Sequence, residues 1–229
     1  MDPNQPPQDA GQLLLLNKPL GWTSFDVVNK LRYRLKIKKI GHAGTLDPLA
    51  TGLLIICTSR MTKRIDEFMG LEKEYTGTFV IGQTTPSYDL ETEVTDPVDI
   101  TSVTKESILH AVKSLTGKIN QLPPTHSAIK IGGKRAYKFA RQGKEVELKP
   151  REVEVAEFEI TSVALPMITF RIVCSKGTYI RSLARDLGES LGVGAYLSQL
   201  CRTRIGSFML KDAVSVDDVT PPHADLLQH

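Results

Sequence analysis

The chain reads as short apolar runs with two different periods. Leu13 to Leu16 is a compact apolar run that predicts a strand. Thr23 or Ser24 can cap a helix, and Phe25, Val28, Leu31 and Leu35 then recur on one face of it. Leu53-Leu54-Ile55-Ile56-Cys57 is a continuous apolar stretch and predicts a buried strand. Met61, Ile65, Phe68 and Met69 mark a short helix closing at Gly70, with these side chains in the core, and Glu74 to Gly82 predicts the next strand. Thr104 to Leu115 predicts a helix with Ile108, Leu109, Val112 and Leu115 inward and Gly117 past its end. From Glu152 to Ile160, Val153, Val155, Phe158 and Ile160 alternate with acids, and the alternation slips by one near Ala156, which predicts a bulge. Met167 to Cys174 alternates as well. Gly177-Thr178 opens a helix with Ile180, Leu183, Ala184, Leu187 and Leu191 on one face and Gly192 after it. Strand pairs joined by long excursions predict an α+β fold, a mixed, largely antiparallel sheet flanked by helices and loops.

Composition narrows the class. A chain of 229 residues fits one large domain or two small ones, and 41% hydrophobic with 24% charged residues is ordinary for a globular protein. The net charge of +3 is mild, so bulk charge alone does not argue for nucleic acid. Its distribution says more. Lys30, Arg32, Arg34, Lys36, Lys38 and Lys39 have no acid among them, and a second basic stretch runs from Lys130 to Arg151. Acids gather at Asp89, Glu91, Glu93, Asp96 and Asp99. Separated charge of this kind suits a surface that tracks phosphates, and a solvated helix face is the alternative for either run alone. Cys57, Cys174 and Cys201 are odd in number and widely spaced, which argues against a disulfide scaffold or zinc site and for a reducing cytoplasm. No apolar run approaches the roughly 20 residues that span a bilayer. Residues 1–12 are polar and Pro-rich and predict a disordered tail without a signal peptide.

Candidate chemistry concentrates at Gly41-His42-Ala43-Gly44-Thr45-Leu46-Asp47-Pro48-Leu49-Ala50-Thr51-Gly52, which leads straight into the apolar run at Leu53. The stretch holds one carboxylate, one imidazole and three glycines. Pro48 biases Asp47 toward an extended backbone. Gly41 and Gly44 permit close approach of a second backbone or a ligand. Asp47 is therefore either a reactive carboxylate on a rigid loop or the opening residue of a turn.

This stretch resembles the catalytic-aspartate motif of the bacterial TruB family of tRNA pseudouridine synthases. Four further blocks resemble the family's motifs in the same order. They are Lys18-Pro19-Leu20-Gly21-Trp22-Thr23-Ser24, then Lys73-Glu74-Tyr75, then Pro123 to Lys130 with Tyr137 and Ala140 to Gly143, then Cys174-Ser175-Lys176-Gly177-Thr178-Tyr179-Ile180-Arg181. The resemblance covers residues 13 to 210. It implies the pseudouridine synthase fold over residues 13–211, a short C-terminal tail over 212–229, and no room for the PUA domain that follows in most members.

The resemblance also implies roles. Asp47 is the aspartate that isomerises uridine, by attack on the base or on the sugar C1′ or by assisting departure of the base. Tyr75 stacks on the target base, and Arg181 pairs with the catalytic aspartate. Ile180 and Leu200 line an apolar pocket, His42 supports the flipped loop bases, and Lys18 lies near the site as a further substrate-binding residue. The implied substrate is the T-arm stem-loop of tRNA at position 55, with no cofactor, no metal, no membrane and no obligatory protein partner. Such an enzyme extrudes the nucleotide from its stack before acting on it. Asp89, in a stretch looser than the family pattern near Thr92, and Asn17, where the family often has Asp, stay outside the catalytic set. Three other classes compete. A non-catalytic RNA-binding module would not need Asp47. A base-removing glycosylase or glycoside hydrolase is another, but retaining hydrolases need a second carboxylate about 5 Å away, and the motif offers none. The guide-RNA-directed relatives carry the PUA domain and work in a multi-protein complex.

Overall fold

The computed structural model describes residues 11–125, 130–131, 134–135 and 148–220. The second basic stretch and the Pro123 to Gly143 block fall largely outside these residues, as does the predicted tail up to residue 10. Gln12 is already tied in, donating its N–H to Thr58 Oγ1 at 2.8 Å and accepting from the Thr58 N–H at 2.9 Å.

The chain forms two compact units, residues 1–74 with 201–229, and residues 75–200. The first holds β1 (Leu13–Lys18), α1 (Ser24–Leu35), β2 (Ile40–Ala43), β3 (Ala50–Thr58), a 3-10 turn (Ser59–Arg64) and α2 (Ile65–Gly70). The strand β4 (Lys73–Ile81) begins here and continues into the second unit. Strand order is β12 (Val214–Ser215), β1, β3 and β10 (Ala195–Ile205), with β2 also paired to β3. The apolar run in β3 has a simple cause: both of its faces are covered. Leu54 and Ile56 pack with Val27, Val28, Leu31 and Leu35 of α1, while Leu53, Ile55 and Cys57 pack with Phe68 of α2. A capping box starts α1, in which Thr23 Oγ1 accepts from the Asp26 N–H at 3.1 Å and Asp26 Oδ2 accepts from the Thr23 N–H at 2.8 Å. That start turns Val27 inward and leaves Phe25 59% exposed, so Phe25 is not on the apolar face predicted for it. Met69, also predicted in the core, is 42% exposed.

The second unit holds the rest of β4, α3 (Lys105–Ser114), β5 (Gly117–Gln121), β6 (Lys130–Ile131), β7 (Lys134–Arg135), β8 (Arg151–Ala164), β9 (Met167–Cys174), α4 (Ile180–Leu191) and the start of β10 (Ala195–Ile205). Its order is β10-β4-β9-β8-β5, and β6 pairs β7 apart from it. The bulge predicted near Ala156 is present, as a register shift between Val155 and Glu157 against β9. Phe79 and Phe170 stack at 4.1 Å with Phe158 edge-on to both. In α3 the buried positions are Ile108, Ala111 and Val112, and Leu109 faces out at 46% exposure.

The end of β10, β11 (Phe208–Met209), a 3-10 turn (Leu210–Asp212) and β12 (Val214–Ser215) return to the first unit. β12 pairs parallel with β1, and Val216 and Val219 are buried against α1. Val216 and Val219 thus join that core from within the segment expected to be a short C-terminal tail, while most of the residues around them are exposed. Cys57 and Cys174 are buried, as their positions at the ends of apolar runs predict. Among the described residues no helix is long and apolar enough to cross a membrane.

Candidate active site

In the first unit Asp47 sits half-buried on the turn from Gly44 to Leu49, between β2 and β3. Its neighbours are fixed on both sides. The Leu46 N–H donates to Ser24 Oγ at 2.9 Å, and that hydroxyl donates back to the Leu46 carbonyl at 3.3 Å. The Pro48 carbonyl accepts from the Gly21 N–H at 2.9 Å and from Lys18 Nζ at 3.3 Å. The Asp47 carbonyl accepts from the Ala50 N–H at 3.1 Å. Arg202, from β10, donates through Nη2 to the Gly44 carbonyl at 3.1 Å and through Nε to the Leu53 carbonyl at 2.8 Å. Gly44 is held at φ +95 and Gly52 at φ +102, where only glycine is comfortable. A Cβ on Gly52 would lie 2.4 Å from the Arg202 carbonyl oxygen, so the close approach predicted at Gly41 and Gly44 is tightest at Gly52.

Lys18 has no exposed surface. Its ammonium donates to the carbonyls of Trp22 at 2.6 Å, Pro19 at 2.9 Å and Pro48 at 3.3 Å. An ammonium has three donors, and these three acceptors take them all. Lys18 therefore serves the Asp47 turn from inside. Burial lowers its pKa from 10.5 to about 8, while the charge of Asp47 raises it and that of Arg202 lowers it. His42 lies in β2 opposite Ile56 of β3 and is half-buried.

The other expected site residues lie in the second unit. Tyr75 is buried in β4. Ile180 and Arg181 open α4, and Gln121 fixes that end of the helix. Its side chain accepts from the Tyr179 N–H at 2.8 Å and donates to the Tyr179 carbonyl at 3.1 Å. Arg181 is 3% exposed, so it is no solvated charge. Its Nε lies 3.5 Å from Asp89 Oδ2, and its Nη1 donates to the Ser87 carbonyl at 3.2 Å. Leu200 is half-buried near the end of this unit's part of β10.

Asp89 is the acid that sequence reasoning set aside, and it is 4% exposed. Its carbonyl accepts from the hydroxyls of Thr85 at 2.6 Å and Ser87 at 3.1 Å, and its Oδ1 accepts from the Glu91 N–H at 3.0 Å. Thr92, which departs from the family's pattern, accepts the Ser87 N–H at 3.0 Å and shares a hydrogen bond with the Ser87 hydroxyl at 2.7 Å. The signal that could have exposed Asp89 is this density of hydroxyls, Thr84, Thr85, Ser87 and Thr92, around one acid.

The fold is that of the pseudouridine synthases. It is shared by a chain of a Cbf5–Nop10–Gar1 complex, 30% identical with a TM-score of 0.71, covering 92% of this chain and 53% of that one. A chain of the archaeal box H/ACA sRNP Nop10–Cbf5 complex is 27% identical with a TM-score of 0.67, covering 92% of this chain and 52% of that one. The chain thus spans about half the length of those structures' chains. TruB family pseudouridylate synthase (N terminal domain) matches residues 32–180, and the tRNA pseudouridylate synthase B C-terminal domain matches residues 181–225. The tRNA pseudouridine synthase B of Parabacteroides distasonis is 53% identical over 216 residues, 92% of each chain. That of Flavobacterium johnsoniae is 54% identical over 213 residues, 90% of this chain and 93% of that one. The chain belongs to the TruB family.

Proposed function

We propose that this chain isomerises uridine to pseudouridine at position 55, in the T-loop of tRNA, with Asp47 as the reacting group. The observation that carries the proposal is the fixing of the Asp47 turn at Gly44, Leu46, Pro48 and Leu53. These contacts hold the backbone on either side of Asp47 in one geometry. Holding a reactive group in one geometry removes much of the entropic part of a barrier.

In the reaction the N1–C1′ bond breaks and a C5–C1′ bond forms. C5 gives up its proton and N1 gains one, so no oxidant, reductant or cofactor is required. Asp47 acts as nucleophile or base in glycosidic cleavage. Tyr75 offers its ring to the extruded base, Ile180 and Leu200 wall the pocket, and His42 supports the displaced loop bases. Arg181 orients the Asp47 carboxylate, and Asp89 in turn steadies the guanidinium. Lys18 acts only by holding the turn.

Electrostatics support an RNA partner. Lys30, Arg32, Tyr33, Arg34, Lys36 and Lys38 line one cleft at the end of α1, and Tyr33 is 88% exposed there. Asp217 partly neutralises the patch, at 3.4 Å from Lys30 and 3.8 Å from Arg34. An exposed ring among cations suits a nucleic-acid backbone and its bases. The reaction would take place in the cytoplasm, where tRNA is matured. The test is release of tritium from a T-arm stem-loop carrying 5-tritiated uridine at position 55. Release to solvent with the label at that position, and none with it at a stem uridine, supports the reading. No release from either overturns it.

A further inference from the structure

We propose that Arg202 is a positioning residue for Asp47, an inference that rests on Asp47 being the reacting group. The residue is 1% exposed and is among the largest fully buried side chains. Its guanidinium spans the catalytic turn, with Nη2 on the Gly44 carbonyl at 3.1 Å and Nε on the Leu53 carbonyl at 2.8 Å. Gly44 opens the turn and Leu53 lies beyond its close, so one rigid fork fixes the distance between the two ends. One of the motif's glycines answers to the same residue. A Cβ on Gly52 would lie 2.4 Å from the Arg202 carbonyl oxygen and 2.7 Å from its nitrogen.

The fold alone gives little reason for a charge here. A buried ionic group is often replaceable by apolar side chains of similar volume at no loss of stability. What an apolar side chain cannot do is donate to two separated carbonyls at once. Lysine donates from a single nitrogen, so it cannot reproduce the span between Nε and Nη2 of the planar guanidinium that reaches both ends of the turn. Ser24 and Lys18 hold the turn's middle, at Leu46 and Pro48. Arg202 holds its ends, and the Asp47 carboxylate takes its place from both.

The test uses the full chain with Arg202→Lys and Arg202→Gln. Three quantities are read: single-turnover tritium release at saturating T-arm stem-loop, the Kd for that RNA, and amide hydrogen exchange. Misplacing a reacting group by about 1 Å can cost about 100-fold, and a loss of that order is expected in the rate. The Kd should stay within about twofold, because the interaction lost acts on the chemical step. Exchange at the Leu46 and Ala50 amides should rise by about tenfold or more, with Phe79 and Phe170 unchanged, because opening is local. A wild-type rate in a folded variant, a loss confined to Kd, or unchanged exchange at Leu46 and Ala50 overturns the proposal. Failure of both variants to fold also overturns it, making Arg202 a determinant of the fold. If the wild type releases no tritium, the assigned reaction fails, and the exchange data still decide whether Arg202 holds the turn.

Discussion

Replacing Lys18 by methionine removes a buried ammonium and keeps most of the side chain's volume. Two effects oppose each other. The carbonyls of Pro19, Trp22 and Pro48 lose their donor, although Pro48 keeps the Gly21 N–H. Each carbonyl left short of a partner costs about 1–3 kcal/mol. Against that, the variant no longer buries a charge. The two effects separate by pH, because carbonyls do not titrate and Lys18 does. Burial holds its folded pKa at about 8, below the unfolded 10.5. Below pH 8 both states carry the proton and the folded state bears the full cost of burying it. Between pH 8 and 10.5 the unfolded chain binds a proton that the folded chain lacks, so this contribution to stability rises with pH. The slope is at most about 1.4 kcal/mol per pH unit, which amounts to about 3 kcal/mol over the window. Urea unfolding of wild type and Lys18→Met at pH 7, 8, 9 and 10 gives the difference in stability, in which the other titrating groups cancel. The difference should be constant from pH 7 to 8 and then move in favour of the wild type. A flat difference up to pH 10, or one that moves the other way, refutes the assignment of a buried, depressed lysine.

Asp89→Ala should destabilise the second unit by about 3–5 kcal/mol, the cost of breaking a buried ion pair, with Asp89→Asn milder because it keeps the side chain's shape; thermal melts that match wild type would remove the pair from the account. Arg181→Lys should keep the fold and lose much of the single-turnover rate, because a point charge cannot orient a carboxylate as a planar fork does; a wild-type rate would make Arg181 purely structural. Tyr75→Ala should lose about 1–3 kcal/mol of base stacking, while Tyr75→Phe keeps the ring; equal, near-wild-type rates for the two would make Tyr75 a core residue only. Affinity for the stem-loop should fall with salt by a log–log slope of about 0.7–0.9 per phosphate contact, and the slope should shrink in Arg32→Gln/Lys36→Gln/Lys38→Gln; a slope unchanged by the triple variant would exclude the α1 patch.

How much of this was legible in the sequence depends on whether burial and hydrophobicity coincide. They coincide in β3, where both faces are covered and the run from Leu53 to Cys57 is unbroken. They coincide in β8, where the slip in alternation marks the bulge beside Ala156. They part where the protein buries charge. β10 went unread because Ser198, Gln199, Arg202, Thr203 and Arg204 break any apolar alternation, yet Arg202 is 1% exposed. The burial of Lys18 is hidden for the same reason, since a lysine is almost never fully buried unless its charge is satisfied. Asp89 was hidden because its burial comes from a turn of hydroxyls and from Arg181, residues 92 positions apart in the chain at the ion pair. β12 is two residues long, too short for any period to register. The Gly41 to Gly52 motif is the legible part of the candidate site, and the buried cations that hold it are not.

Asp47→Asn decides whether Asp47 carries the chemistry. The amide is nearly isosteric, so the pinned turn, the fold and the RNA affinity should persist, but an amide cannot act as a carboxylate nucleophile or base. Purified variant, checked by mass spectrometry for deamidation, is mixed in excess with the 5-tritiated T-arm stem-loop. The variant should show an unchanged melting temperature, a wild-type Kd and no tritium release over a time in which the wild type converts all its substrate. Measurable release by the intact Asn variant would contradict it.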